Sequence, residues 1–73
     1  MTLAECVKWL VYLVQINEPY SESRFGSVID GYLAGIGGPK AVFARRDELV
    51  IAFRDAAPVS ELSDRVLKRI LNS

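Results

Sequence analysis

The sequence has no histidine, one cysteine and no formal net charge among its 73 residues. The lack of histidine removes the usual general base near neutral pH and the commonest metal ligand. The single thiol of Cys6 cannot form an internal disulfide or a cysteine metal cage. A chain of this length supports one domain, with no second lobe to close over a substrate. We therefore expect a non-enzyme with no cofactor, metal site or small-molecule substrate.

Charge and hydropathy place the chain among folded proteins. Hydrophobic residues make up 51% of the sequence, and a chain rich in aliphatic residues with no net charge is not typical of disorder. Residues 1–36 carry a formal charge of −2 and residues 37–73 carry +2. This asymmetry is mild, because acidic residues are interspersed through the basic half. It favours an ordinary helix surface over a nucleic-acid footprint.

No apolar run is long enough to cross a membrane. The uninterrupted run from Trp9 to Val14 is far shorter than the roughly 18 residues a span requires. Glu5 precedes this run and Lys8 interrupts the wider apolar stretch, so it does not resemble a signal peptide either. We expect a soluble, cytoplasmic protein with no membrane contact.

Three breaks divide the chain into four segments with helical periodicity. They lie at Asn17-Glu18-Pro19, Gly37-Gly38-Pro39 and Ala57-Pro58. Proline disfavours helix in the residue before it and is tolerated in a first turn, so each break ends one helix and begins the next. The pattern predicts an all-α fold, a compact bundle or orthogonal array of about four short helices in a single domain over residues 1–73.

The first segment, residues 2–16, is apolar on almost every side. Thr2 and Glu5 have the spacing of a capping box, which predicts the helix start. Either this segment is the central helix of the array, or part of its apolar surface is exposed. In the second case the exposed part would include four residues: Trp9, Val11, Tyr12 and Ile16.

The next two segments have clearer faces. The second, about residues 21–36, places apolar residues at helical spacing and carries small residues opposite them. Its predicted face consists of Phe25, Val28, Ile29, Tyr32, Leu33 and Ile36. The third, residues 39–57, is predicted to present Val42, Phe43, Leu49, Val50, Phe53 and Ala56.

Arg46 lies in the middle of the third segment's apolar face. Three interpretations are open: a helix break at Asp47 that turns Arg46 outward, a side chain whose head reaches water, or an arginine anchor for a partner. The fourth segment, residues 60–72, presents Leu62, Val66, Leu67, Ile70 and Leu71 on its apolar side.

Part of the first half resembles a known interaction module. Val7-Lys8-Trp9-Leu10, Tyr20, Phe25 and Ile29-Asp30-Gly31-Tyr32-Leu33 are similar to the first half of sterile alpha motif domains, which are small helical protein-interaction modules. The second half departs from that pattern: residues 34–44 correspond to an insertion, and the Leu-Gly-Ile and Gly-x-Arg signals before the last helix are missing. We therefore do not assign the chain to this family.

The sequence favours a function in protein binding. A core this small usually needs a further source of stability, and with no disulfide or metal an oligomer or another partner remains. We expect a small adaptor, regulator or inhibitor that binds another protein or itself, most simply as a homodimer. The candidate anchors are Trp9, Tyr12 and Ile16, with Arg46 as a polar anchor.

The alternative is a DNA-binding regulator with a helix-turn-helix made by the third and fourth segments. Arg65, Lys68 and Arg69 would supply its basic residues. The turn contains Pro58 where many such turns have glycine, and the last helix begins without asparagine or glutamine for base edges. Nucleic acid is therefore the less favoured partner.

Overall fold

The computed structural model describes residues 1–16 and 21–73 and contains four α-helices in the order α1 (Leu3–Ile16), α2 (Ser21–Leu33), α3 (Pro39–Ala56) and α4 (Glu61–Leu71). The predicted all-α fold is confirmed. The break predicted at Asn17-Glu18-Pro19 lies outside the described residues. None of the four helices combines the length and the apolar content that a membrane span requires.

Capping residues fix the starts of α1 and α4. The backbone N–H of Glu5 donates to the Thr2 hydroxyl at 3.1 Å, and the Thr2 N–H donates to the Glu5 carboxylate at 3.4 Å. This is the predicted capping box. At α4 the Ser60 hydroxyl accepts a hydrogen bond from the Ser63 N–H at 3.1 Å. Local sequence therefore determines where both helices begin.

Glycine and proline shape the connection between α2 and α3. The second helix ends at Leu33, three residues earlier than predicted, and Gly35 follows with a φ of 78°. A left-handed residue at this point ends a helix, although the apolar spacing continues to Ile36. Gly38, with a φ of 79°, precedes Pro39 at the start of α3.

The third helix is continuous, so the interpretation of Arg46 by a helix break at Asp47 is wrong. The chain remains helical from Pro39 to Ala56, and Arg46 lies within it. The predicted apolar face of α3 was also too broad. Leu49 and Phe53 are buried, whereas Phe43 and Ala56 are exposed. Three neighbouring helices cover only part of the surface of α3.

One core holds the four helices together. The first helix packs most extensively on α2 and α3, and α4 packs on α3 and α2. The buried apolar residues come from every helix: Cys6, Leu10, Leu13, Val14, Phe25, Ile29, Tyr32, Leu49, Phe53, Val66 and Ile70. A hydrogen bond of 3.2 Å from Arg45 to the Tyr32 hydroxyl joins α3 to α2 at the edge of this core.

Candidate interaction surface

The inner side of α1 is buried in the core. Cys6, Leu10, Leu13 and Val14 are buried between the other helices. Burial raises the pKa of the Cys6 thiol from 9.0 to about 11. A buried thiol with a raised pKa is a weak nucleophile, and Cys6 packs as a small apolar residue of the core.

The outer side of α1 exposes two large aromatic residues. Trp9 retains 52% and Tyr12 50% of their surface. Their ring centroids are 6.1 Å apart and the ring planes meet at 82°, an edge-to-face pair. Trp9 and Tyr12 therefore lie outside the core and are available to a partner. The alternative of a completely surrounded central helix does not hold for these two residues.

Glu5 and Lys8 lie beside the aromatic pair. These four residues together line one surface depression of about 500 Å³. We call Glu5, Lys8, Trp9 and Tyr12 the α1 outer patch. Helical periodicity places Glu5, Lys8, Tyr12 and Gln15 on one stripe of α1, but the anchors predicted from the sequence did not include the two charged residues. Their shared stripe with Tyr12 was the signal that could have identified them.

An apolar groove runs along each side of the α1 outer patch. On the α3 side, a groove of about 640 Å³ is lined by Leu3, Ala4, Val7, Lys8, Val11, Tyr12, Gln15, Ala52 and Ala56. On the α2 side, a depression of about 320 Å³ is lined by Met1, Trp9, Tyr12, Leu13, Arg24, Ser27 and Val28. Tyr12 lines both, so it forms part of the wall between them.

Ile16 and Arg46 lie in different surroundings from the aromatic pair. Ile16 is half-buried at the end of α1 and packs against the core. The guanidinium carbon of Arg46 lies 4.7 Å from the centroid of the Phe43 ring, and Nη1 donates to the Leu71 carbonyl at 3.4 Å. Arg46 thus links α3 to the end of α4. It lines none of the three depressions around Trp9 and Tyr12.

The two arginines of α4 face acidic partners within the chain. Arg65 donates to Glu22 at 3.0 Å and to Glu61 at 3.3 Å. Arg69 contacts both carboxylate oxygens of Asp30, at 3.1 and 3.2 Å. The pairs with Glu22 and Asp30 join α4 to α2, and all three pairs neutralise part of the positive charge that would meet a phosphate backbone.

The described residues offer no cluster suited to metal binding, since no three of their Asp, Glu and Cys side chains are grouped closely enough. Comparison with known proteins gives no family match, no similar curated protein and no similar solved structure. The interpretation of the surface therefore depends on its own geometry and chemistry.

Proposed function

We propose that the chain is a small, non-catalytic, cytoplasmic interaction module that binds protein through the α1 outer patch and associates with itself. The observation that carries this proposal is the exposed pair of Trp9 and Tyr12. Aromatic residues are enriched at the centres of protein interfaces, where they contribute large apolar contact area. The unpaired Cys6 thiol fits a reducing compartment.

Three further features support binding at this position. The two aromatic rings already contact each other, so part of the entropy of ordering them is lost before binding. Glu5 and Lys8 provide a polar rim at the edge of the aromatic contact. The grooves on both sides provide concave apolar surface for side chains of a partner.

The size of the protein makes association energetically useful. Its surface of 4744 Å² encloses a core of only 11 buried apolar residues within the described part of the chain. An interface of standard size covers about 800 Å² on each partner, which is roughly a sixth of this surface. Association would therefore add substantially to the surface area that the core of a single chain buries.

DNA binding through α4 remains the alternative function, and the observed ion pairs count against it. A DNA-binding helix needs its basic residues free to meet phosphates, whereas Arg65 and Arg69 are held by Glu22, Glu61 and Asp30. The exposed aromatic pair on α1 has no role in that alternative.

The experiment that tests the proposal is molar mass by light scattering over a wide range of concentrations. We expect the wild type to dimerise and the Trp9→Ala/Tyr12→Ala variant to remain monomeric with helical circular dichroism near that of the wild type. A matched control is Ile51→Ala, which removes an exposed apolar side chain from α3. Unfolding of the double variant would assign these residues to the core, and wild-type-like dimerisation of it would place the interface elsewhere.

A further inference from the structure

The α1 outer patch has a polar half and an aromatic half. Glu5 and Lys8 are three residues apart on α1, and so are Trp9 and Tyr12. Residues three apart are neighbours on a helix surface. The patch therefore has an acidic and a basic group side by side at one end, and two contacting aromatic rings at the other.

Helix geometry arranges these four residues as the corners of a diamond. At 100° per residue, Glu5 and Tyr12 lie almost on one line along the helix, about 10 Å apart. Lys8 and Trp9 lie halfway between them in height, each turned roughly 50° to opposite sides of that line. One diagonal of the diamond thus follows the helix axis, and the other crosses it.

We propose that the partner of the α1 outer patch is a second copy of the same patch, related by a two-fold axis. The axis lies in the plane of the contact. It passes through the midpoint between Glu5 and Lys8 and through the midpoint between Trp9 and Tyr12. It brings Glu5 against Lys8 of the second copy, and Trp9 against Tyr12 of the second copy. Because the contact is isologous, each pairing occurs twice.

Charge complementarity favours a second copy as the occupant. Rotation about this axis exchanges an acidic residue with a basic one, so the patch meets its own electrostatic complement. The formal net charge of the chain is zero, which leaves no general repulsion between two copies. The axis also places aromatic surface against aromatic surface, with the ion pairs at the edge of the contact.

The shape of the neighbouring surface fits the same arrangement. Under this axis the two α1 helices cross at roughly 60°, so each helix extends over the grooves beside the other. The groove toward α3 is bordered there by the small residues Ala4, Ala52 and Ala56, and the depression toward α2 by Ser27. Small residues at these positions permit close approach of a crossing helix, and contact over both grooves enlarges the buried area.

The test exchanges the two charges, singly and together, and measures dimer dissociation by analytical ultracentrifugation. Glu5→Lys alone places basic residues against basic residues, and Lys8→Glu alone places acidic residues against acidic ones. We expect each single change to weaken dimerisation at least about tenfold. The Glu5→Lys/Lys8→Glu variant restores both ion pairs and should dimerise within about threefold of the wild type.

A mixture gives the sharpest result. Glu5→Lys chains mixed with Lys8→Glu chains place two basic residues opposite two acidic ones, so an equimolar mixture should form heterodimers when neither variant dimerises alone. Trp9 is the only tryptophan, and its emission should move to shorter wavelength as the heterodimer forms. Single variants that dimerise as well as the wild type, or a mixture that stays monomeric, would overturn the proposal.

Two controls separate charge from folding. Glu5→Lys also breaks the capping box, and Thr2→Ala breaks it without changing the charge of the patch. Arg54→Glu makes the same charge change as Lys8→Glu at an exposed position on α3 that lines none of the three depressions. Both controls should dimerise like the wild type, provided thermal melts show that they are folded.

This inference depends on the proposed function, and the results distinguish the two. If Trp9→Ala/Tyr12→Ala abolishes the dimer while the charge exchanges have no effect, the axis is wrong and the function stands. If the double alanine variant dimerises normally, both are wrong. A wild type that is monomeric at every concentration overturns the second copy as the partner, and with it the self-association in the proposed function.

Discussion

The outward sides of α1 and α4 meet the solvent in different ways. In α4 the exposed surface is charged, and its arginines are paired with carboxylates of α2 and of α4 itself. In α1 the exposed surface carries Trp9 and Tyr12, and its inner side fills the core. Both helices contribute buried residues to the same core, so the difference lies outside it. The exposed aromatic surface of α1 is apolar surface that the core does not bury, and the proposed function rests on it.

The largest expected effect is a difference in stability between a substitution on the inner side of α1 and one on its outer side. Leu10→Ala removes a fully buried side chain and should lower the free energy of unfolding by about 2–5 kcal/mol. Trp9→Ala removes a larger side chain that is half exposed, and should cost under about 1 kcal/mol in the monomer. Urea denaturation at a low protein concentration, where dimers dissociate, measures both. A loss above 3 kcal/mol for Trp9→Ala would contradict the assignment of this residue to an interface.

Alkaline pH should destabilise the inner side of α1. The pKa of the Cys6 thiol is raised by burial to about 11 from 9.0, so the folded state holds its proton more tightly than the unfolded state. The stability this contributes is complete below pH 9 and is lost as pH rises through 11, on the order of 2 kcal/mol in total.

The Cys6→Ala variant provides the comparison for this alkaline effect. It should be less stable at neutral pH because it removes a buried side chain, yet its stability should fall less steeply between pH 9 and 11. Parallel pH profiles for the two proteins, measured by chemical denaturation, would show that the Cys6 thiol has the same pKa in the folded and unfolded states, so that burial does not raise it.

The glycines of α2 offer a test of its contact with α4. An added methyl group at Gly31 would contact no atom within 4 Å, so Gly31→Ala should raise the free energy of unfolding by roughly 0.5–1 kcal/mol through helix propensity. A methyl group at Gly26 would lie 3.2 Å from the Arg69 guanidinium. Gly26→Ala should therefore gain less than Gly31→Ala, or lose stability. Equal gains in thermal melts would mean that Arg69 moves aside freely.

Local sequence signals predicted the helices better than the surfaces between them. The capping box of Thr2 and Glu5 was visible because its two partners lie three residues apart in the chain. The end of α2 was missed because apolar spacing continues to Ile36, whereas the left-handed Gly35 ends the helix. Apolar periodicity shows which residues would share a face if the helix continued. It does not show where the helix ends.

The location of the candidate surface could not be predicted from sequence, because it is set by how the helices pack and not by any local sequence pattern. Nearly all sides of α1 are apolar, so the sequence could not determine which side its neighbours leave open. Arg46 shows the same limit: its half-burial reflects a contact with the Leu71 carbonyl, 25 positions away in the chain. Which apolar residues remain exposed is decided by the relative positions of all four helices.

The smallest effect on stability should come from the ion pairs between α2 and α4. Glu22→Gln with Asp30→Asn removes the α2 partners of Arg65 and Arg69, and should change the free energy of unfolding by at most about 1 kcal/mol because these groups are largely exposed. The same change removes the α2 carboxylates that neutralise Arg65 and Arg69. We expect no duplex DNA binding by the wild type at micromolar concentration and low salt, and weak, salt-sensitive binding by the variant, measured by fluorescence anisotropy.

A variant with the same net charge separates local from overall effects in that experiment. Asp47→Asn with Asp55→Asn removes two exposed carboxylates from α3 and leaves the pairs of Arg65 and Arg69 in place. It should bind duplex DNA less well than the Glu22→Gln/Asp30→Asn variant. Micromolar binding by the wild type with a steep salt dependence would instead show that α4 meets phosphates despite its acidic partners. In that case the charged side of α4, and not the aromatic side of α1, would be the surface on which function depends.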